Sequence, residues 1–217
     1  MSYIGDWEEL SVAIDGVAGA GKSTIGRALA REIGITYFDT GATYRALAYH
    51  AHELGIEEDD SEALTELAIG QDLQIVEGRV LVDGRDVSGE IRTPEVSSLT
   101  SKIATIGSVR AAMVKWQRSF AESAGGVVGD GRDCGTVILK GARVKVFLDA
   151  DPEARASRRK DLTLESIVER DRRDSTRSVD PLQIADGAVV IDTSKSSIDQ
   201  SIALLIRIYD KANSKYQ

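Results

Sequence analysis

One stretch constrains this chain more than any other: "LSVAIDGVAGAGKSTIGRALAREIG", residues 10–34. Gly16, Gly19, Gly21, Lys22 and Ser23 fit the spacing G-x-x-x-x-G-K-[ST]. Glycines at those places let backbone N–H groups turn inward around phosphate oxygens. Lys22 supplies a mobile cation for β- and γ-phosphates, and the Ser23 hydroxyl is placed to ligate Mg²⁺. The flanks agree with the motif. The apolar run before it suits a buried parallel strand. After it, Ile25, Leu29 and Ile33 recur at helical spacing and Gly34 stops the helix. Strand, loop and helix N-terminus form an anion site, with the helix dipole aimed at the phosphates. Residues 16–24, that is Gly16, Val17, Ala18, Gly19, Ala20, Gly21, Lys22, Ser23 and Thr24, are therefore the expected nucleotide phosphate-binding loop.

The 217 residues are expected to form a single α/β domain. Strands are expected at 10–14, 35–38, 126–130, 144–149 and 188–191, and helices at 22–33, 42–54, 108–123, 152–159, 164–174 and 197–212. Such alternation predicts a three-layer α/β/α fold around a parallel sheet. An insertion is expected at about 57–105, where "DLQIVEGRVLVDGRDV" reads as a hairpin turning at Glu77–Gly78. Its helix follows, with Thr93 as N-cap and Pro94 in the first turn.

A net charge of −8 and 5% aromatic residues argue against nucleic acid and anionic membranes as partners. Cys134 is the single cysteine, which excludes an intrachain disulfide and agrees with a reducing cytoplasm. No apolar run is long enough to span a membrane. A guanine-reading Asn-Lys-x-Asp segment is excluded, since the one asparagine is Asn213, followed by Ser214.

Two further stretches lie at strand ends, where ligands collect in α/β sheets. In "FDTGATYRAL" (38–47), Arg45 in an early helical turn is a candidate phosphate clamp. In "GDGRDCGTVI" (129–138), Asp130 is a candidate Mg²⁺ carboxylate acting through water. Arg132 and Asp133 follow in a tight turn that reads as a ligand-facing loop. His50 and His52 are not at metal-ligand spacing and read as structural.

With "DVSGEIRTPEVSS", "VRAAMVKWQR", "VKVFLDADPEARASRR", "RDRRDSTRSVDPL" and "AVVIDTS", these stretches resemble the bacterial cytidylate kinases from about Ser11 to Ile208. The resemblance implies transfer of the γ-phosphate of ATP to CMP or dCMP with Mg²⁺, by a monomer. It implies sheet order 2-3-1-4-5, a core (1–56, 106–154, 178–217), a nucleoside-monophosphate-binding insertion (57–105) and a lid (155–177). Carried over by position, Arg45, Arg132 and Arg177 clamp the acceptor phosphate, Ser101, Arg110 and Asp133 read the cytosine edge, and Arg170 and Asp174 contact the sugar. Thr40 and Tyr44 line the acceptor pocket, while Arg155, Arg158 and Arg159 close over the transferred phosphate. Lys22, Arg45, Arg132 and Arg177 are the expected catalytic cations. Cytosine offers a donor and two acceptors, which acceptors at Ser101 and Asp133 and a guanidinium at Arg110 complement. The chain departs from the family between "EARASRR" and "LESIVERD", where only "KDLT" (160–163) intervenes, so a short lid is expected. A related kinase with another acceptor, or a regulatory module that has lost transfer, are the competing readings. Cys134, beside Asp133, is expected to admit thiol reagents that impair acceptor binding.

Overall fold

The computed structural model describes residues 7–158 and 163–214. These divide into two compact units, Met1–Phe38 with Phe120–Gln217, and Asp39–Ser119.

The first unit opens with a short helical turn, α1 (Trp7–Leu10), and strand β1 (Val12–Gly16). Helix α2 (Lys22–Ile33) and strand β2 (Thr36–Asp39) follow. Every residue of β1 is buried, as its unbroken apolar run requires. Gly34, at φ 72°, ends α2 with its N–H on the Ala30 carbonyl.

The second unit contains α3 (Thr40–Glu53), α4 (Ser61–Gly70), strands β3 (Leu73–Val76), β4 (Arg79–Val82) and β5 (Arg85–Asp86), α5 (Pro94–Ile103) and most of α6 (Gly107–Ser123). The expected hairpin is present and a third strand extends it, in order β3-β4-β5. Both turns place two successive residues at positive φ, Glu77 (52°) with Gly78 (77°) and Asp83 (49°) with Gly84 (75°). That is the twist a two-residue hairpin needs. Thr93 caps α5, its Oγ1 accepting from the Val96 N–H at 3.3 Å, with Pro94 behind it. The core of this unit joins Leu47, Leu64, Ile91, Ile103, Val109 and Met113.

The chain re-enters the first unit through β6 (Val127–Asp130), β7 (Val144–Asp149), α7 (Pro152–Arg158), α8 (Leu164–Thr176), β8 (Val189–Asp192) and α9 (Ile198–Asn213). The large sheet runs β2-β6-β1-β7-β8. Counted among its own five strands, with the three strands of the second unit set aside, this is the expected order 2-3-1-4-5. β1 pairs in parallel with β6 and β7, and β7 with β8. Val12, Ile14, Leu29, Val128, Val146, Leu148 and Leu205 form the core between sheet and helices.

The N-terminal turn ties down the start of the sheet. Ser11 Oγ donates to the Trp7 carbonyl at 2.8 Å and accepts from the Val127 N–H at 3.1 Å. Glu8 accepts from the Gly141 N–H, and Glu9 pairs with Arg143 at 2.7 Å.

Candidate active site

β1 ends at Gly16, which has φ 144° and lies against β7: a Cβ there would sit 2.0 Å from the Leu148 carbonyl oxygen. The loop then rises through Gly19 (φ 80°) to Gly21 (φ 92°), the residue before α2. The first N–H groups of α2 have no intrahelical partner and face the loop's mouth. Other loop groups are taken. Val17 N–H donates to the Leu148 carbonyl at 3.3 Å, and Ala18 N–H to Asp171 Oδ1 at 3.2 Å. Lys22 Nζ folds back on the carbonyls of Gly16 (2.9 Å) and Val17 (2.8 Å). Burial, with the charges of Arg132 and Arg170, pushes the Lys22 ammonium down to about 7, against the pull of Asp130 and Asp174.

Asp15, a residue the motifs do not single out, is buried inside β1. Its two carboxylate oxygens accept the N–H groups of Cys134 and Gly135, each at 2.7 Å. That pair of bonds sets the entry to a wide helical turn, Cys134–Ile138, in which Leu139 N–H reaches back to the Cys134 carbonyl at 2.7 Å. Burial raises the Asp15 carboxyl to about 6 despite those two bonds, and Asp133 adds to the rise. Cys134 itself is fully buried, which corrects the expectation that thiol reagents reach it.

The turn before it carries Arg132 and Asp133. Arg132 Nε donates to Asp174 Oδ2 at 2.7 Å, and Arg177 Nη2 lies 3.7 Å from Asp133 Oδ1. Burial works against the Asp174 charge, but Arg132, Arg170 and Arg177 outweigh it and hold the carboxyl below its ordinary value. Arg177 Nε donates to the Asp180 carbonyl at 2.5 Å, fixing the residue just past α8. The first unit thus brings Arg132, Asp133, Arg170, Asp174 and Arg177 into one charged set with Lys22.

Asp130 ends β6 next to β1, in register with Ile14. Its Oδ2 accepts from Tyr37 Oη at 3.0 Å, and the Arg27 guanidinium stacks 4.3 Å over that tyrosine ring. Among the described residues, no group of three acidic, histidine or cysteine side chains gathers as a metal cage. Ser23 lies in the first turn of α2, and Asp130 Oδ2 is already engaged by Tyr37.

In the second unit, Asp39 caps α3, accepting from the Ala42 N–H at 2.9 Å, and pairs with Arg45 at 2.8 Å. One carboxylate starts the helix and aims its first arginine. Arg110 is 1% exposed, lies 5.7 Å over the Tyr44 ring and donates from Nη1 to the Ala104 carbonyl at 3.3 Å. Seven residues on, the buried Gln117 donates to Thr43 Oγ1 (2.8 Å) and the Thr40 carbonyl (3.3 Å). The two side chains of α6 thus hold the first turns of α3. Ser101 Oγ donates within α5 to the Ser97 carbonyl at 3.1 Å.

Of the three expected phosphate-closing arginines, Arg155 is buried and bonded to the phosphate loop. Arg158 donates to Thr193 Oγ1 at 3.3 Å and to the Thr193 and Ser194 carbonyls. Arg159 and most of the short "KDLT" segment lie outside the described residues. Asp15, Asp39, Gln117 and Asp171 escaped the sequence reading. Only Asp15, a lone acid inside an apolar strand, and Asp39, an N-cap type before a helical run, carried a local signal.

The model of the cytidylate kinase family matches residues 12–211. The cytidylate kinase of Mycobacterium leprae is 43% identical over 210 residues, covering 91% of this chain and 94% of its own. That of Exiguobacterium sibiricum is 42% identical over 221 residues, covering 94% and 99%. That of Desulforamulus reducens is 44% identical over 219 residues, covering 94% and 98%. With the family model matched from residue 12 to residue 211 and relatives 42–44% identical over more than nine-tenths of their own length, the chain belongs to the cytidylate kinase family.

Proposed function

We propose that this protein transfers the γ-phosphoryl group of ATP to CMP or dCMP, giving ADP and CDP or dCDP. The observation that carries the reading is the charged set around Lys22, in which Arg132 is held by Asp174 and Arg177 by Asp133. Phosphoryl transfer asks for positioning and charge neutralisation rather than covalent catalysis. Arginines fixed in advance by carboxylates meet that need without reorganising during the reaction.

The loop N–H groups hold the donor phosphates, and Lys22 exchanges its two carbonyl partners for phosphate oxygens. Ser23, and Asp130 through water, would hold Mg²⁺ brought in with the nucleotide, which would neutralise charge developing on the transferred group. Arg45, Arg132 and Arg177 orient the acceptor phosphate. Ser101, Arg110 and Asp133 take the cytosine edge, Arg170 and Asp174 the sugar, and Thr40 and Tyr44 line the acceptor pocket. Uracil reverses two of the three base contacts, which leaves buried polar groups mispaired and makes discrimination large. The protein acts as a monomer on small nucleotides in the cytoplasm. Among the described residues no helix is long and apolar enough to cross a membrane.

The test is ADP release from Mg-ATP with CMP, dCMP, UMP, AMP or no acceptor. Release with CMP and dCMP alone supports both the reaction and the base contacts. Release with UMP alone discards the roles of Ser101, Arg110 and Asp133. No acceptor-dependent release from folded, ATP-binding protein discards the reaction.

A further inference from the structure

We infer that Asp171, with Arg155, is a positioning residue for the donor site: the pair clamps the two peptide groups that flank Ala18 and so fixes the shape of the phosphate loop. The inference rests on the phosphotransfer reading above. Ala18 N–H donates to Asp171 Oδ1 at 3.2 Å, while the Ala18 carbonyl accepts from Arg155 Nη1 at 2.9 Å. The same Nη1 meets Asp171 Oδ2 at 2.5 Å, which closes a ring of peptide, guanidinium and carboxylate.

The clamp is built from fixed parts. Arg155 is 3% exposed, and its Nε is anchored on the Ala150 carbonyl at 2.8 Å. The loop lies directly on it, since a Cβ on Gly19 would come 3.1 Å from Arg155 Cβ. With the N–H of the Val17–Ala18 peptide and the carbonyl of the Ala18–Gly19 peptide both engaged, each of these two peptide planes is held from one side, and the N–H groups that follow keep one direction. The arginine also neutralises a carboxylate that would otherwise repel a triphosphate in the same loop.

Asp171 stands three residues before Asp174 on α8, and Asp174 pairs with Arg132. One helix therefore holds the donor loop through one carboxylate and an acceptor-side arginine through another. A nucleotide-contacting role for Arg155 is not needed for this effect, because its guanidinium acts through the loop backbone.

The experiment measures Mg-ATP dissociation constants by calorimetry without acceptor, KM for ATP and CMP, kcat and thermal melts. The variants are Asp171→Ala and Asp171→Asn. Asp171→Ala is expected to weaken ATP about 10-fold, with KM for CMP changed less than about 2-fold. Asp171→Asn keeps an oxygen for the Ala18 N–H and is expected to recover about half of that loss on a logarithmic scale. If Asp171→Ala melts below the assay temperature, Asp171→Asn carries the test, with an expected loss of about 3-fold. Unchanged or tighter ATP binding overturns the inference, as does an equal rise in KM for CMP and ATP. Because ATP binding is read without transfer, failure of the kinase reading leaves this result interpretable.

Discussion

Arg132 and Asp174 form a 2.7 Å ion pair in which the side chains are only 15% and 16% exposed. Breaking such a pair strands one charge in a partly dry setting. Asp174→Asn is expected to lower stability by about 1–3 kcal/mol and kcat/KM for CMP by about 10- to 100-fold. The pH sign follows from the depressed Asp174 carboxyl: its stabilisation is present above the ordinary carboxylate value of 3.8 and is lost as pH falls below it. Thermal melts from pH 7 to pH 3 check this, with the variant showing a shallower acid loss than the parent.

Lys22 gives a second pH signature. Its ordinary value is 10.5 and burial brings it to about 7, so its protonated form is penalised in the nucleotide-free fold. Between those values the unfolded chain holds more protons, and this group's contribution to stability rises with pH. Triphosphate oxygens reverse the penalty, so Mg-ATP binding at pH 8 is expected to take up a proton. Calorimetry in two buffers of different ionisation enthalpy counts it. Zero uptake or release contradicts the prediction, and Lys22→Met is expected to abolish uptake and cut kcat by at least about 1,000-fold.

Asp15 supports the acceptor turn from beneath. Its two oxygens accept two backbone N–H groups, and an asparagine can accept only on one side. Asp15→Asn is expected to cost about 1–3 kcal/mol and to raise KM for CMP more than KM for ATP. Unaltered melting would show that the carboxylate is dispensable to the turn.

Base selection is open to single substitutions. Ser101→Ala is expected to reduce the CMP-over-UMP preference in kcat/KM by about 10-fold. Arg110→Met, at a site 1% exposed, is expected to raise KM for CMP and to lower Tm as well. A Ser101→Ala variant with intact selectivity removes that residue from the base contacts.

Cys134 is fully buried, and its own N–H is held by Asp15. Thiol reagents are expected to label it only at the rate of local or global opening, rising with denaturant. Rapid labelling in buffer, with activity intact, contradicts that placement.

The strands and the phosphate loop were legible because burial and glycine placement are local properties of the chain, whereas the sheet order followed only from the family resemblance. β5 was not read, although Asp83–Gly84 carries the same turn signal as Glu77–Gly78, since two residues are too few for a visible alternation. The wide turn Cys134–Ile138 is held by Asp15, 119 positions away in sequence, which no spacing pattern reveals. The same holds for Asp171 and Ala18, 153 positions apart. Arg155 stood in one set with Arg158, and only the structure separates them: Arg155 is buried against the Ala18 carbonyl and Asp171, while Arg158 reaches Thr193.

Gly16 and Lys22 belong to one motif but answer to different neighbours. Gly16 is confined by the backbone of β7, where any Cβ would force β1 and β7 away from each other. Lys22 is buried at a cost in its own ionisation that phosphate relieves. A descendant of this chain that had given up phosphotransfer would still keep the glycine, while the lysine would be released to drift. Among divergent copies, then, the first glycine of the loop reports an intact sheet, and it is the lysine that reports a working enzyme.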